Sequence, residues 1–393
     1  MAKQISLVPF REFFRSEQIG GIILLFCVTI SLSIANSDLA ISFENLLETN
    51  LGYNTSSIQL EYSILLWIND GLMAIFFLLV GLEIKREVIE GELSSPQKAM
   101  MPIIAAVGGM LFPAAIYAIF NAGSLTSNGW GIPMATDIAF ALGIISILGK
   151  RIPASLKVFL AALAIADDLG AILIIAIFYT NELHWMQLLY SGGILALLII
   201  MNQTGVKKLI FYIIPGIFLW YFVHHSGIHA TIAGVLLALT IPTNPVKDTS
   251  PLEKLEHFIV RPVNFLIMPI FALANTNIRF ENKMIEGLYS PLGLGILLGL
   301  FAGKPIGVFL FSWLYVKLGL GSLPSGAYWK HILGIGFLAG IGFTMSIFVT
   351  MLSFDEAEFQ IEAKFSILAA SVLSGITGYF FLSLLNKKNK GKF

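Results

Sequence analysis

The sequence is poor in charged residues, since Asp, Glu, Lys and Arg make up only 12% of its 393 positions. Soluble globular domains carry about 25%, so this chain has too little charge to cover the surface of a water-soluble domain of its length. The hydrophobic fraction of 56% fits a surface that faces lipid instead. A single cysteine, Cys27, excludes an intrachain disulfide.

An excess of either charge is also missing, because 24 basic and 24 acidic residues give a formal net charge of zero. The even balance provides no field that would attract nucleic acid, and we expect no nucleic-acid partner. Glycine, by contrast, is abundant at 36 positions, which allows helices in a bilayer to pack backbone against backbone. The composition therefore predicts an integral membrane protein with membrane lipid around it.

Long apolar runs divide the chain into candidate membrane spans, each of which needs roughly 20 mostly apolar residues. Twelve runs lie at residues 17–36, 63–84, 99–121, 127–149, 154–180, 185–202, 207–223, 227–242, 257–275, 290–316, 331–352 and 365–386. The runs at 207–223 and 227–242 are short, and merging them would give eleven. We predict an all-α membrane protein of about twelve spans, with residues 1–393 forming one polytopic membrane domain.

Basic residues lie almost entirely on alternate connections between these runs. With the N-terminus in the cytoplasm, 20 of the 24 Lys and Arg residues fall on inner segments. Three fall on outer segments (Arg279, Lys283 and Lys364), and Lys304 lies within a run. This asymmetry is typical of cytoplasmic loops. It favours twelve spans over eleven and predicts that both termini are cytoplasmic.

The first outer connection, residues 37–62, is the longest. Its second part contains the stretches 51–54 (LGYN) and 57–61 (SIQLE), in which apolar and polar residues alternate around turn residues. That pattern predicts either a β-hairpin or an irregular loop.

Four ionisable residues lie near the centres of their runs: Asp137, Asp167, Asp168 and Lys304. A charge at the bilayer centre costs from about 2.5 to over 10 kcal/mol, so such residues usually have a function, although a buried ion-pair network that only fixes packing is the alternative. Adjacent helical residues point about 100° apart, so Asp167 and Asp168 cannot face one target equally. We assign Asp168 to a water-filled cavity and Asp167 to a partnership with Lys304, with the reverse assignment left open.

Two of the runs carry signals that interrupt a helix. Pro133 lies four residues before Asp137 and removes a backbone donor, and the run 331–352 contains GIG at 334–336 and GIGFT at 340–344. Interrupted helices in corresponding halves of a transporter commonly mark its binding site, and their half-helix ends carry partial charges. Asp137 would neutralise the N-terminal ends and Lys304 the C-terminal ends. The glycines alone are equally consistent with close helix packing.

At these residues the sequence resembles the NhaA family of bacterial sodium/proton antiporters. The matching stretches run in family order over nearly the whole chain, at 65–71 (LLWINDG), 81–87 (GLEIKRE), 135–143 (ATDIAFALG), 164–170 (AIADDLG), 226–231 (SGIHAT), 303–305 (GKP) and 340–346 (GIGFTMS). The resemblance implies twelve helices, an inverted repeat in the segments around 99–180 and 290–386, and two interrupted helices that cross mid-membrane. It also implies a homodimer in the bacterial inner membrane, joined partly through an outer β-hairpin.

The same resemblance implies roles for individual residues. Asp167 and Asp168 match the pair that binds sodium and protons, Thr136 and Asp137 the helix crossing, and Lys304 the lysine that pairs with the first aspartate. A cytoplasmic pH-sensing cluster is matched by Glu83, Arg86, Glu87, Glu256 and His257. Some relatives have a second histidine where this chain has Val260, so the pH set-point is expected to differ.

These residues predict a sodium (or lithium)/proton antiporter without a cofactor and not an enzyme. Two titrating carboxylates allow up to two protons per sodium, so we expect electrogenic, pH-regulated export of sodium. Two other classes compete: an intramembrane aspartyl protease using Asp137 with Asp168, which would not need Lys304, and a cation channel, which needs weak binding and a continuous wet path.

Four polar residues outside this set are expected to have no direct role in function. Asp70 lies just inside the outer end of its run and is interpreted as a helix-start acid or a packing hydrogen bond. His229 is interpreted as structural, and His224 and His225 as part of a wet loop.

Overall fold

The computed structural model describes residues 8–55, 59–180, 182–243 and 250–389. The helices are α1 (Val8–Ala35), α2 (Ala40–Glu48), α3 (Ile64–Ile89), α4 (Pro96–Asn121), α5 (Ser127–Ile147, interrupted), α6 (Ala154–Phe178), α7 (Trp185–Gln203), α8 (Ile210–His224), α9 (Ile232–Thr240), α10 (Pro251–Asn275), α11 (Asn282–Gly287), α12 (Pro291–Lys317), α13 (Trp329–Ala339 and Phe343–Ser353, interrupted) and α14 (Ala357–Asn389). The two strands are β1 (Asn50–Leu51) and β2 (Tyr62–Ser63). Ser57 and Ile58 of the predicted hairpin, and the basic residues Lys3, Lys247, Lys390 and Lys392, lie outside the described residues.

The predicted all-α membrane architecture is confirmed. Within the described ranges, eight helices are long and apolar enough to cross a membrane, or up to ten if each sharply bent helix pair counts as one span. The remaining predicted runs, 207–223 and 227–242, are the separate helices α8 and α9 of 15 and 9 residues. Each of the twelve predicted runs therefore coincides with a helix, and the two short ones are not merged.

A small antiparallel sheet occupies the connection between α2 and α3. Asn50 pairs with Ser63, and Leu51 pairs with Tyr62. Gly52 has a φ of +135°, and a Cβ placed on it would lie 1.8 Å from the backbone oxygen of Leu60, so only glycine fits there. Of the two possibilities that the sequence left open for this connection, the hairpin is correct.

The helices form two compact units, each assembled from separate segments of the chain. The first unit comprises described residues within Met1–Phe26, Pro96–Gly170 and Glu281–Phe393. The second unit comprises described residues within Cys27–Ser95 and Ala171–Phe280. The single transport domain expected over residues 1–393 stays a prediction.

The first unit contains the same helical pattern twice. A long helix, an interrupted helix and another long helix follow one another in α4–α6 and again in α12–α14. The two leading helices, α4 and α12, meet backbone to backbone. A Cβ on Gly108 would lie 2.4 Å from the Gly307 oxygen, and a Cβ on Gly307 would lie 2.1 Å from the Gly108 oxygen. Glycine at both positions therefore allows the close approach that places Lys304, one turn before Gly307, inside the unit.

In the second unit, α3 packs against α9 through glycine contacts. A Cβ on Gly234 would lie 2.2 Å from the Ala74 oxygen, and a Cβ on Gly81 would lie 2.7 Å from the Ala238 Cβ. Helix α3 contains a π-helical segment at Trp67–Leu72. Such segments are rare and frequently occur at functional sites.

Candidate functional site

The two interrupted helices lose their helical backbone at the residues where the sequence predicted a break. In α5, a 3₁₀ helix ends at Met134, the backbone is extended at Ala135 and Asp137, and an α-helix begins at Ile138. Asp137 caps this second half, because its side chain accepts a hydrogen bond from the Phe140 amide at 3.2 Å. In α13, the two halves meet at a 50° bend around Gly340–Gly342.

The interrupted segments cross each other in direct contact. The Asp137 amide donates to the Ile341 oxygen at 2.6 Å, and the Thr136 hydroxyl lies 2.9 Å from the Ala339 oxygen. The Asp137 carboxylate accepts from the Thr344 amide at 3.1 Å and from the Thr344 hydroxyl. Each broken helix thus supplies partners for peptide groups that the other leaves unpaired. The predicted crossing of two interrupted helices is confirmed.

The crossing places a carboxylate beside the N-termini of two half-helices. Asp137 is 1% exposed and bonds amides at the starts of both Ile138–Ile147 and Phe343–Ser353. Because each helix start carries about half a positive elementary charge, a buried carboxylate there is stabilised without a cationic side chain.

Lys304 and Asp167 form a fully buried ion pair next to the crossing. The Lys304 ammonium contacts the Asp167 Oδ2 and lies 2.9 Å from the Thr136 Oγ1, and the Thr136 hydroxyl lies 2.7 Å from the same Asp167 oxygen. All three side chains have zero exposure. Removing two charges from water is costly, so such a pair persists only with close geometry and additional hydrogen bonds. Of the two assignments left open by the sequence, the geometry joins Lys304 to Asp167.

Lys304 lies directly after a change of helical register in α12. The helix α12 is π-helical over Gly299–Gly303, and the Lys304 amide bonds back to the Gly299 oxygen. Pro305 follows and has no amide hydrogen to donate, so regular α-helical bonding cannot resume immediately. The lysine therefore lies at a local irregularity of a helix that is long and apolar enough to span a membrane.

Asp168 lies next to Asp167 in the chain, and no basic side chain of the described residues forms an ion pair with it. It is 1% exposed, and its Oδ1 has no hydrogen-bond partner among the described residues. The Oδ1 of Asp167 is likewise buried and without a partner in the described part of the chain. Unpaired carboxylate oxygens are costly to bury. This pair therefore favours taking up a proton or a hard cation, which prefers oxygen ligands.

Ion pairs join three of the five residues that were expected to form a cytoplasmic cluster. In the second unit, the Arg86 Nε lies 3.0 Å from the Glu256 Oε2, and an Arg86 terminal nitrogen lies 3.4 Å from the Glu87 Oε1. His257 follows Glu256 on α10 but is exposed, and Glu83 is half-buried one turn before Glu87. The structure thus brings Arg86, Glu87 and Glu256 into direct contact.

Lys85 has a structural role that the sequence did not indicate. Its ammonium donates to the Leu239 oxygen at 2.7 Å and to the Ile241 oxygen at 2.5 Å, at the C-terminal end of α9. A cation there satisfies backbone oxygens that have no partner within the helix. The contact joins distant parts of the chain, so sequence spacing gave no signal for it.

Asp70 has two histidine partners that its sequence position did not indicate. It lies in the π-helical segment of α3, and its two carboxylate oxygens lie 3.1 Å from the His224 Nδ1 and 3.5 Å from the His229 Nε2. All three side chains are about 14% exposed or less. His224 and His229 are therefore partners of a buried carboxylate, and the interpretation of His224 as part of a wet loop is wrong.

Comparisons with known proteins agree with this geometry. Residues 11–382 match the family described as Na+/H+ antiporter 1. The Na(+)/H(+) antiporter NhaA 2 of Flavobacterium johnsoniae is 62% identical over 391 residues, covering 99% of this chain and 96% of the relative. The Na(+)/H(+) antiporter NhaA of Flavobacterium psychrophilum is 52% identical over 96% of each chain, and that of Pelagibacter ubique is 51% identical over 99% of this chain and 100% of its own. The chain therefore belongs to the Na+/H+ antiporter 1 family.

Proposed function

We propose that this chain is a multi-pass bacterial membrane antiporter that exchanges sodium or lithium ions for protons at Asp167 and Asp168. The observation that carries the proposal is the pair of adjacent buried carboxylates, each with an Oδ1 that lacks a partner among the described residues. Sodium needs ionised oxygens as ligands, and protons bind the same oxygens. Competition between the two for one site is sufficient for exchange, provided that only loaded forms change the side to which the site opens.

The ion pair supplies the switch in this mechanism. Lys304 neutralises Asp167 in the arrangement described, and the Thr136 hydroxyl bonds both partners. A sodium ion bound to Asp168 brings a second positive charge close to Lys304, so it weakens the Asp167–Lys304 contact. Release of sodium removes this competing charge and restores the contact. Asp137 keeps its bonds to Thr344 and Phe140 throughout, and it compensates the helix ends rather than binding the ion.

The exchange is proposed to be electrogenic. Two titrating carboxylates allow two protons to enter for each sodium that leaves, which moves one net charge inward. Each such charge gains about 2.3 kcal/mol per 100 mV of inside-negative potential. The membrane potential would therefore drive sodium export even against a sodium gradient.

We further propose that the contacts of Arg86 with Glu87 and Glu256 adjust the exchange to pH. The Arg86 side chain is 34% exposed, so the ion pairs are partly screened by water and contribute little to folding. Protonation of the two carboxylates would release Arg86 and change the ends of α3 and α10 that carry them. Glu83 and His257 lie on the same two helices and are assigned to this cluster.

The cellular arrangement follows from the charge distribution and the family. We propose the bacterial inner membrane, both termini in the cytoplasm because basic residues dominate the inner connections, and a homodimer that uses the hairpin β1–β2. The channel and the aspartyl protease remain less favoured. Both Asp137 oxygens already accept hydrogen bonds, and the buried Lys304 ion pair has no role in a protease.

Reconstituted vesicles test the proposal. When sodium is loaded inside the vesicles, exchange by the wild-type protein should acidify the lumen. An imposed membrane potential should change the rate of this acidification. Asp168→Asn should abolish the pH change, because the neutral amide neither binds and releases a proton nor provides a charged oxygen for sodium. The matched control Asp355→Asn, at an exposed position of the same unit, should behave as wild type. Sodium-driven proton movement at the wild-type rate in Asp168→Asn would remove Asp168 from the site, and a rate independent of voltage would refute electrogenic exchange.

A further inference from the structure

The hairpin is fixed to the body of the second unit by two aromatic side chains. On one strand, Tyr62 packs edge-on against the His224 ring at a centroid distance of 4.9 Å, and its hydroxyl lies 3.2 Å from the His225 Nε2. On the other strand, the Leu51 oxygen accepts a hydrogen bond of 2.9 Å from the Trp67 indole. The end of α8 and the start of α3 therefore hold both strands.

The bonds around His225 reveal which protonation state fits this geometry. Its Nδ1 lies 2.8 Å from the Tyr221 backbone oxygen, which can only accept, so Nδ1 carries a hydrogen. The Tyr62 hydroxyl has one hydrogen but two neighbours that could accept it, the His225 Nε2 at 3.2 Å and the Gln59 oxygen at 3.1 Å. A neutral His225 has an Nε2 that can only accept, so Tyr62 would satisfy either His225 or Gln59 but not both.

A protonated His225 removes this conflict. With hydrogens on both ring nitrogens, Nδ1 donates to Tyr221, Nε2 donates to the Tyr62 oxygen, and the Tyr62 hydroxyl is free to donate to Gln59. Burial raises the pKa of Tyr62, and the nearby Tyr221 and Asp70 raise it further, so this hydroxyl keeps its hydrogen throughout the neutral range. All three contacts form together only in the imidazolium state.

The surroundings can hold the added charge. Among the described residues, the ionisable groups in this region are Asp70, His224, His229, Tyr62 and Tyr221, with the exposed Glu61 next to Tyr62. The exposed His184 is also close, because its backbone amide donates to the Ser226 oxygen. Asp70 provides the negative charge, and His224 lies between it and His225, with ring centroids of the two histidines 5.2 Å apart. The neighbouring segment Met268–Asn275 of α10 and all of α9 carry no ionisable side chain.

We propose that His225 is a proton-operated latch for the hairpin β1–β2. Protonation of His225 completes the chain of bonds from Tyr221 through His225 and Tyr62 to Gln59, and its deprotonation removes one of them. The hairpin is then held more tightly when His225 is protonated than when it is neutral. This latch is independent of ion exchange at Asp167 and Asp168.

Hydrogen–deuterium exchange of the full-length protein in lipid nanodiscs tests the latch. After correction for the intrinsic pH dependence of exchange, amides of the hairpin should be about tenfold more protected at pH 5.5 than at pH 7.5, the effect of one hydrogen bond. His225→Gln should remove the pH dependence, since its amide donates to Tyr62 without titrating. Tyr62→Phe should give low protection at both pH values.

A matched control separates the latch from a general effect of histidine titration. His184 is an exposed histidine of the same unit, and His184→Gln should keep the wild-type pH dependence. Equal protection of the wild-type hairpin at both pH values, or full pH dependence in His225→Gln, would overturn the proposal. Sodium/proton exchange is not the readout, so a failure of the latch leaves the proposed transport function untouched, and the reverse also holds.

Discussion

The hydroxyl of Thr136 offers a direct test of how the buried ion pair is held. It has one hydrogen, which is directed either to the Asp167 Oδ2 at 2.7 Å or to the Ala339 oxygen at 2.9 Å, and its oxygen accepts from the Lys304 ammonium at 2.9 Å. Thr136→Val keeps the shape of the side chain but removes both the donor and the acceptor. The ion pair remains, so the expected loss is that of the hydrogen bonds to charged groups, about 1.5–3 kcal/mol each.

The loss of these hydrogen bonds mainly destabilises the ionised form of Asp167. With its hydroxyl partner gone, ionised Asp167 is less stabilised and protons compete more strongly with sodium for the pair. At a fixed pH, the apparent KM for sodium in vesicle assays should rise by about ten- to a hundredfold, since each 1.4 kcal/mol corresponds to a factor of ten. The maximal rate at saturating sodium should change much less.

Thr136→Ser is the matched control because it keeps the hydroxyl and loses only a methyl group. Its apparent KM should stay close to that of the wild type. An unchanged KM in Thr136→Val would show that the hydroxyl does not stabilise ionised Asp167, and equal increases in Val and Ser would assign the effect to packing rather than to the hydrogen bonds. Either result would refute the reasoning.

Two other predictions concern packing and pH. Gly108→Ala would place a Cβ 2.4 Å from the Gly307 oxygen and should lower the unfolding free energy by about 1–3 kcal/mol, measured as a lower Tm; Gly192→Ala, where a Cβ meets nothing within 4 Å, should not lower it. Arg86→Gln removes the cation that contacts Glu87 and Glu256, and the loss of a nearby positive charge makes a carboxylate easier to protonate in general. The pH profile of exchange should shift to more alkaline values with little change in Tm, and an unshifted profile would contradict a role for Arg86 in pH response.

Much of the helical architecture could be predicted because it depends on local composition. Apolar runs of sufficient length give the spans, and Pro133 with the glycines of α13 gives the interruptions, since these residues break helical bonding wherever they occur. The central position of Asp137, Asp167, Asp168 and Lys304 in their runs likewise identified the residues that the first unit brings together.

The remaining features depend on contacts between distant residues. Tyr62 and His225 are 163 positions apart, and Lys85 reaches backbone oxygens more than 150 positions away. No periodicity or spacing connects such residues, so the sequence alone does not reveal the grouping of Asp70 with His224 and His229. The pattern in residues 51–61 could not decide between a hairpin and a loop, because the deciding contact is the approach of Gly52 to the Leu60 backbone.

The crossing of α5 and α13 has a mechanical consequence. The Asp137 amide donates to the Ile341 oxygen, the Thr136 hydroxyl lies beside the Ala339 oxygen, and the Ser346 hydroxyl donates to the Ile132 oxygen. Hydrogen bonds therefore join the two interrupted helices at several points. A tilt of one helix alone would break these hydrogen bonds and leave buried polar groups without partners, which is costly. Ion binding is therefore expected to displace both helices together. A change of charge beside one helix is then transmitted directly to the other through the hydrogen bonds that join them.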